Sequence, residues 1–153
     1  MPRVSLLLVA TFALAAGTAA PARAELATWD QAKVSALAKQ LETEARSLED
    51  AFRKQPQATG AQRRSYYRLK QDVRKVRSGA KQLAGALDEG ATQEETLPMY
   101  EDLMQDVRRV RDFAPQLFTT RDVMERASAA RQVLNQITPY YDPDAAPLRP
   151  AAR

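Results

Sequence analysis

The chain has 153 residues, with 23 basic and 19 acidic side chains and a net charge of +4, and it contains no cysteine and no histidine. These two absences exclude thiol nucleophiles, serine–histidine and cysteine–histidine catalytic arrangements, ordinary zinc sites and histidine-ligated haem. They also exclude c-type haem attachment and a ferritin-like di-metal centre, which need C-x-x-C-H and Glu-x-x-His respectively.

Residues 1–24 have the three-part form of a secretory signal peptide. Met1-Pro2-Arg3 gives a positive start, an apolar run extends from Val4 to Ala16, and Ala22-Arg23-Ala24 is an A-x-A cleavage site. The apolar run is shorter than the about 20 residues of a membrane-spanning helix, although an uncleaved anchor is the alternative. We therefore expect an exported protein, periplasmic or secreted, that has no transmembrane span.

Cleavage after residue 24 leaves 129 residues, which is the length of one domain with a sizeable core. It also removes Arg3 and Arg23, so 21 basic and 19 acidic residues remain and the net charge falls to +2. The basic excess of the whole chain is therefore partly an export feature. It argues only weakly for a nucleic-acid partner, which we do not expect for an exported protein.

The first predicted helix begins soon after the cleavage site. Thr28 is an N-cap residue with Gln31 three positions on, in the capping-box spacing, and the helix ends before Gln55-Pro56. Its apolar residues recur in steps of three and four, which places them on one face of a helix. This stripe consists of Val34, Leu37, Leu41, Ala45, Leu48 and Phe52. Trp29 is expected to fold over one end of the core.

The second predicted helix extends from about Ala61 to Asp88 and has the clearest pattern. Apolar residues fill the a and d positions of three heptads, which indicates a helix that packs against other helices. They are Tyr66, Leu69, Val73, Val76, Ala80, Leu83 and Leu87. Gly79 and Gly85 weaken the second half of this helix, and Gly90 is predicted to be its C-cap.

The third and fourth predicted helices are shorter. The third begins at Thr96, with Pro98 in its first turn, and ends or kinks at Pro115 because an interior proline costs about 3 kcal/mol. The fourth begins near Thr119 or Thr120 and is closed by Thr138-Pro139. The two apolar stripes are Tyr100, Leu103, Val107, Val110 and Ala114, with Met104 beside them, and Val123, Ala127, Ala130, Leu134 and Ile137.

Four amphipathic helices without strand signals predict an all-α fold. We expect an antiparallel up-down four-helix bundle with heptad-like packing, which follows a cleaved signal peptide and occupies residues 25–141. Because the first two helices are longer than the last two, either the first hairpin projects beyond the second or the second helix breaks at its glycines. Residues 142–153 are rich in proline and alanine and are expected to be disordered.

Part of the second helix recurs in the third. Tyr66–Leu83 matches Tyr100–Leu117 at 11 of 18 positions. The matches outside the apolar stripe are Gln71/Gln105, Asp72/Asp106, Arg74/Arg108, Arg77/Arg111 and Gln82/Gln116. Duplication of a helix that keeps suitable exposed residues explains this repeat, and two equivalent binding surfaces are the alternative. An acid-to-base spacing of three recurs as Asp30–Lys33, Asp72–Lys75 and Asp106–Arg109, with Asp30 and Lys33 in a fainter third copy.

The sharpest candidate site is the basic surface of the second helix. Residues 61–87 contain eight basic side chains and one acidic side chain. Arginines beside an outward-facing tyrosine suit a phosphate, a sulfate or an acidic polymer. The candidate anion- or partner-binding residues are Arg63, Arg64, Tyr67, Arg68, Arg74, Lys75 and Arg77. The alternative is a solvated helix face whose charge is balanced by acidic neighbours.

An acidic segment balances this surface. Residues 88–106 contain seven carboxylates and no basic residue, and the predicted topology places them at the opposite end from Arg63 and Arg64. No pair of carboxylates is singled out for catalysis, so we expect no enzyme, cofactor or metal. The sequence predicts a non-catalytic exported bundle that binds an envelope partner, which is a protein, a client polypeptide or an anionic polymer. The alternative is a structural or self-associating bundle, a homo-oligomer with no small-molecule ligand.

Overall fold

The computed structural model describes residues 25–55, 60, 62–114, 117 and 120–149. Within these ranges the chain is helical and forms no strand, which confirms the all-α prediction. The helices are α1 (Gln31–Lys54), α2 (Gln62–Asp88), α3 (Gln93–Phe113) and α4 (Arg121–Ile137), followed by a 3-10 turn at Thr138–Tyr140. The predicted signal peptide, residues 1–24, lies outside the described residues.

The start of α1 differs from the prediction. Asp30, not Thr28, is the N-cap, and its side chain accepts a hydrogen bond of 3.1 Å from the backbone N–H of Lys33. Gln31 is therefore the first helical residue, and its side-chain amide donates to the backbone carbonyls of Leu87 and Ala91 instead of capping the helix. Among the described residues, Asp30 and Lys33 form no salt bridge between their side chains; the Asp30 carboxylate binds the backbone N–H of Lys33 instead.

The start of α3 lies one turn earlier than predicted. Thr92 is the N-cap, and it forms a capping box in which its hydroxyl accepts from the N–H of Glu95 and the Glu95 carboxylate accepts from the N–H of Thr92. Thr96, the predicted start, is buried inside the helix and donates its hydroxyl to the Thr92 carbonyl at 2.8 Å. Pro98 consequently lies in the second turn. The helix ends at Phe113, just before Pro115, which itself lies outside the described residues.

The end of α2 agrees with the prediction. Gly90 has a positive φ of 90°, the N–H of Gly90 donates to the carbonyl of Leu87, and the N–H of Ala91 donates to the carbonyl of Ala86. These two bonds form a Schellman motif, which satisfies carbonyls that the end of a helix leaves free. The helix is continuous through Gly79 and Gly85 over its 27 residues, so a break at the glycines was wrong.

The helices pack against each other, with α1 in contact with α2 and α4, and α2 in contact with α3. The stripe predicted for α1 is fully buried, from Val34 to Phe52, and in α2 only Tyr66 is less than fully buried. In the stripe predicted for the third helix, Val107, Val110 and the C-cap residue Ala114 are only partly buried. The buried apolar side chains that the stripes omit are Ala38, Ala51, Ala84, Leu117, Val133, Tyr140 and Tyr141.

Aromatic side chains close one end of the core. Trp29 packs edge-on against Tyr140 and Tyr141, with its ring centroid 6.3 Å from that of Tyr140 and 5.6 Å from that of Tyr141. This agrees with the prediction that Trp29 folds over one end of the core. The ring of Tyr141 stacks on that of Tyr100 at 4.4 Å, and its hydroxyl lies 2.8 Å from that of Thr96. This cluster joins the segment before α1, the start of α3 and the segment after α4.

Residues 142–149, which were expected to be disordered, have no regular secondary structure but contact the bundle. Asn135 of α4 donates its amide to the carbonyl of Leu148 and accepts from the N–H of Leu148 at 2.8 Å. The side chain of Leu148 packs against the hydrophobic core that includes Leu41, Leu83 and Leu134. The described part of this segment is therefore held against α4, and residues 150–153 lie outside the described residues.

Candidate anion-binding surface

The exposed basic residues at the N-terminus of α2 form the first part of the predicted site. We call Arg63, Arg64, Tyr67 and Arg68 the basic start of α2. Arg63, Arg64 and Arg68 are exposed, and Tyr67 has 64 % of its surface accessible. Within the described ranges no salt bridge reaches any of these arginines, and the first turn of α2 contains no acidic residue. The basic start of α2 therefore presents cations that no carboxylate in the described part of the chain neutralises.

Two aromatic contacts fix the geometry of this region. The hydroxyl of Tyr66 donates to the carbonyl of Phe52 at 2.7 Å, and the two rings lie 5.6 Å apart, so Tyr66 anchors α2 to the end of α1. Burial raises the pKa of the Tyr66 hydroxyl. The guanidinium of Arg68 lies over the ring of Phe113, 5.5 Å from its centroid, in cation–π geometry. Tyr67, next to the anchor, points to solvent.

The arginines further along α2 have a different environment. Glu49 of α1 is a buried carboxylate that accepts one hydrogen bond from each of three arginines. Oε1 of Glu49 accepts hydrogen bonds from Nη2 of Arg53 at 2.9 Å and from Nε of Arg74 at 3.4 Å. Oε2 of Glu49 accepts a hydrogen bond from Nη1 of Arg77 at 2.7 Å. We call these four residues the Glu49 cluster. Two residues of the predicted site, Arg74 and Arg77, are therefore neutralised in part by α1.

Opposing effects set the pKa of Glu49. Burial raises it, but the hydrogen bonds and the positive charges of Arg77 and Arg53 outweigh burial, and the pKa lies below its ordinary value. The same contacts raise the pKa of Arg77. Glu49 is thus ionised in the folded protein at neutral pH, and it binds the two helices together through charge-assisted hydrogen bonds.

Lys75 has a third environment. Its ammonium group lies 3.9 Å from the carboxylate of Asp72, whose side chain is 9 % exposed. The corresponding Asp106 and Arg109 of α3 also form a salt bridge. Of the three predicted acid-to-base pairs, these two are therefore present. The seven predicted site residues do not converge on one site, because they divide among the basic start of α2, the Glu49 cluster and the Asp72–Lys75 pair.

The structure also places Glu49 in contact with Arg74 and Arg77, and Arg53 binds the same carboxylate; the sequence reasoning missed both Glu49 and Arg53. Glu49 lies four residues after Ala45 and three before Phe52, so it occupies a position of the buried stripe of α1. A carboxylate at a stripe position needs a cationic partner from another helix, since an unpaired buried charge is very costly. This spacing was a signal that Glu49 needs a cationic partner, but it does not identify Arg74 and Arg77 as that partner.

The two copies of the repeat lie on α2 and α3, and their matched arginines make different contacts. Arg77 binds Glu49, whereas Arg111 pairs with its neighbour Asp112. Arg74 binds Glu49, whereas Arg108 lines a cavity between α3 and the segment around Tyr141 and Asp142. The two copies therefore do not present equivalent surfaces at these positions.

Comparisons with known proteins add no assignment. No protein-family model matches the chain, and no curated protein or solved structure is similar to it. Among the residues that the structure describes, no three acidic side chains form a group that could hold a metal ion. In the same ranges, none of the helices is long and apolar enough to cross a bilayer. The geometry of the charged side chains is the remaining guide to function.

Proposed function

We propose that this protein is a non-catalytic exported helical bundle that binds an anionic partner in the cell envelope through the basic start of α2. The partner is an anionic polymer or the acidic surface of an envelope protein or client polypeptide. The observation that carries this proposal is the exposure of Arg63 and Arg64 in the first turn of α2, with no salt bridge to any described residue.

The position of these arginines supports a role in binding. The N-terminus of a helix carries a partial positive charge, so a cation there costs about 0.3–1 kcal/mol where an anion would stabilise the helix. Arg63 and Arg64 therefore oppose the stability of α2. Tyr67 and Arg68 add an exposed ring and a third cation on the next turn. Such a surface attracts an anion, and a bound anion would offset the repulsion between these arginines and the positive end of the helix.

We further propose the antiparallel up-down arrangement for the four helices. Three hydrogen bonds support it, because each joins the start of one helix to the end of another. Gln31 donates to the end of α2, Gln55 next to α1 donates to Thr120 at the start of α4, and Gln93 at the start of α3 donates to Tyr140 after α4. In this arrangement the basic start of α2 and the acidic start of α3 occupy opposite ends of the bundle.

Export is the second part of the proposal, and residues 1–24 support it by their signal-peptide pattern. The full chain is expressed in a bacterial host, the periplasmic and culture fractions are separated, and the N-terminus of the product is sequenced. We expect the chain to begin at Glu25. Retention in the cytoplasm with residues 1–24 intact would contradict export.

The binding proposal is tested with poly-L-glutamate, an anionic polymer without phosphate or sulfate. The test variant is Arg63→Gln/Arg64→Gln/Arg68→Gln, and the control is Arg46→Gln/Arg121→Gln/Arg126→Gln, which removes the same charge from other exposed positions. We expect the test variant to lose at least tenfold in affinity and the control less than threefold. Binding should weaken as salt rises from about 10 to about 150 mM, since the Debye length falls from about 30 to about 8 Å.

Equal affinities of the two variants would refute the assignment to the basic start of α2. Binding that is insensitive to salt would refute its electrostatic nature. Circular dichroism before titration establishes that each variant retains its helices, so that a loss of affinity is not a loss of fold.

Self-association is the second candidate, and the charges at the two ends of α2 favour it. Arg63 and Arg64 lie at one end, whereas Asp88 and Glu89 lie at the other, next to the acidic first turn of α3. Copies could therefore join head to tail through opposite charges. Size-exclusion chromatography with light scattering tests this: growth in mass with concentration at low salt supports it, and a monomer at every concentration excludes it.

A further inference from the structure

A second cationic feature lies between α1 and α2, away from the basic start of α2. It is a cleft of about 480 Å³. Its lining residues are Glu49, Arg53, Arg74, Arg77, Ser78 and Lys81. Four of these side chains are cationic and one is anionic, so the cleft has a net charge of +3.

Among the described residues, most of the hydrogen-bond donors of the Glu49 cluster have no hydrogen-bond acceptor, although Arg53 also lies 3.8 Å from the carboxylate of Asp50. A guanidinium carries five N–H donors, and each of the three arginines donates only one hydrogen bond to Glu49. The carboxylate is almost fully buried, and its bonds of 2.7–3.4 Å hold the arginines around the cleft. Glu49 thus acts as a positioning residue that fixes the guanidinium groups of three arginines, each with several hydrogen-bond donors. Ordered donors bind an anion at a lower cost in side-chain entropy than free arginines do.

Ser78 and Lys81 complete the cleft with polar groups that form no hydrogen bond or salt bridge to the other described residues. Both positions differ between the two copies of the repeat, where Asp112 corresponds to Ser78 and Pro115 corresponds to Lys81. In the second copy Asp112 binds Arg111, the counterpart of Arg77. The first copy therefore has the Ser78 hydroxyl and the Lys81 ammonium group at positions where the second copy has the Asp112 carboxylate and a proline.

We propose that this cleft binds a tetrahedral oxyanion, a phosphate or sulfate group. The oxygens of such a group would accept N–H donors from Arg74, Arg77 and Arg53, with the Lys81 ammonium and the Ser78 hydroxyl as further donors. Arginine forks match the geometry of these groups, and charge-assisted bonds to them are among the strongest in proteins. This site is independent of the proposed function, because it uses none of the residues of the basic start of α2.

The experiment titrates the purified protein with inorganic phosphate, sulfate and chloride at constant ionic strength. Isothermal titration calorimetry measures affinity, and the ¹⁵Nε–H NMR signals of the arginines report which side chains respond. We expect saturable binding of phosphate and sulfate that shifts the signals of Arg74 and Arg77, and no saturation by chloride. Absence of saturation with both phosphate and sulfate would overturn the proposal.

Substitutions separate a built site from general attraction to a basic surface. Arg74→Gln/Lys81→Gln should lower phosphate affinity at least tenfold, whereas the matched control Arg46→Gln/Arg121→Gln should change it less than twofold. Equal losses in the two variants would show a diffuse charge effect and overturn the proposal. Arg74 and Lys81 are exposed, so this variant is expected to fold.

Glu49→Gln gives a second and opposite test. This change makes the cleft more positive, so diffuse attraction would strengthen phosphate binding. If Glu49 positions the arginines, the same change weakens binding despite the added charge, by about fivefold or more. Tighter binding by folded Glu49→Gln would overturn the positioning role. If this variant does not fold, the Arg74→Gln/Lys81→Gln comparison decides the proposal alone.

A last titration identifies the source of the group. Glycerol 3-phosphate is compared with inorganic phosphate under the same conditions. Equal or tighter binding of the ester indicates the phosphate of a larger molecule, and tighter binding of the inorganic ion indicates a free anion. Because poly-L-glutamate lacks both groups, a failure of this proposal is distinguishable from a failure of the proposed function.

Discussion

At the scale of single residues, Glu49 has the most unusual environment in the described part of the chain. Its carboxylate is buried on the apolar stripe of α1, yet it accepts hydrogen bonds from arginines of both α1 and α2. Because the three arginines are 38–53 % exposed, solvent screens their charges in part, and the pair energies are smaller than those of fully buried ions. Glu49 therefore orders side chains as well as stabilising the contact between helices.

Glu49→Gln should lower the free energy of unfolding by about 2 kcal/mol, since it leaves charged hydrogen-bond donors without their anionic acceptor. Urea denaturation at pH 7 measures this change. The matched control is Glu125→Gln, which breaks an exposed pair with Arg121 and should cost no more than about 0.5 kcal/mol. Equal losses of unfolding free energy in Glu49→Gln and Glu125→Gln would show that the buried ion pairs of Glu49 stabilise the protein no more than an exposed pair does.

The pKa of Glu49 gives this difference a pH dependence. Burial raises this pKa, but Arg77 and Arg53 lower it by more than burial raises it. The pKa of folded Glu49 therefore lies below the ordinary value of 4.5 that applies to the unfolded chain. The unfolded state then binds more protons, and the stabilisation by Glu49 is complete above that value and is lost as pH falls through the folded pKa. The stability difference between wild type and Glu49→Gln should shrink below about pH 4.5. A difference that stays constant down to pH 3 would be inconsistent with this sign.

At the scale of elements, the sequence predicted the interiors of the helices better than their ends. The apolar period identifies a buried face because helical geometry returns side chains to one side every three or four residues. The starts of α1 and α3 were misplaced because two cap-forming residues lie close together at each start: Thr28 and Asp30, and Thr92 and Thr96. At both starts a residue of the predicted cap binds elsewhere in the bundle: Gln31 donates to carbonyls at the end of α2, and Thr96 lies 2.8 Å from the hydroxyl of Tyr141. The local pattern does not encode such contacts.

The two capping candidates of α1 give a direct test. Asp30→Ala should destabilise the protein by about 1 kcal/mol, because the backbone N–H of Lys33 loses its acceptor. Thr28→Ala, the control, should change stability by less than about 0.3 kcal/mol. Thermal denaturation followed by circular dichroism measures both. If Thr28→Ala proved the more damaging, the N-cap would lie where the sequence first suggested.

Two glycines of the α2 region should respond in opposite directions to alanine. Gly90 has a φ of 90°, which L residues rarely adopt, so Gly90→Ala should cost about 1 kcal/mol. A Cβ at Gly85 meets no atom within 4 Å, so Gly85→Ala should add up to about 1 kcal/mol through helix propensity. Denaturant midpoints separate the two. A loss of stability in Gly85→Ala would contradict this prediction, because it would mean that the added methyl group meets another part of the protein.

At the scale of the whole molecule, charge and aromatic packing are distributed unevenly along the bundle. The basic start of α2 lies beside Phe52 and Phe113, whereas the Trp29, Tyr100 and Tyr141 cluster lies where α3 starts and α4 ends. The sequence predicted both the basic surface and the position of Trp29. It could not predict that Arg74 and Arg77 bind α1 while Arg63 and Arg64 do not, because this depends on which helix faces lie side by side.

The aromatic cluster should make the protein sensitive to alkaline pH. Burial raises the pKa of the Tyr100 and Tyr141 hydroxyls above the ordinary 10.0 more than their hydrogen bonds to Thr138 and Thr96 lower it. Their contribution to stability is complete below about pH 10, and it is lost as pH rises through the folded pKa values, because the unfolded state releases those protons first. Unfolding should therefore accompany ionisation of these tyrosines.

Absorbance at about 295 nm, which reports tyrosinate, and Trp29 fluorescence are recorded through an alkaline titration. Trp29 touches the ring of Tyr141, so its emission should change together with the late tyrosine ionisation, and helical circular dichroism should fall in the same pH range. Tyr67→Phe, a change of the same kind at an exposed position, is the control for the substitution itself. Tyr141→Phe removes one of the late-titrating groups and should reduce its amplitude. Ionisation of every tyrosine near pH 10 in a folded protein would contradict the burial of Tyr100 and Tyr141.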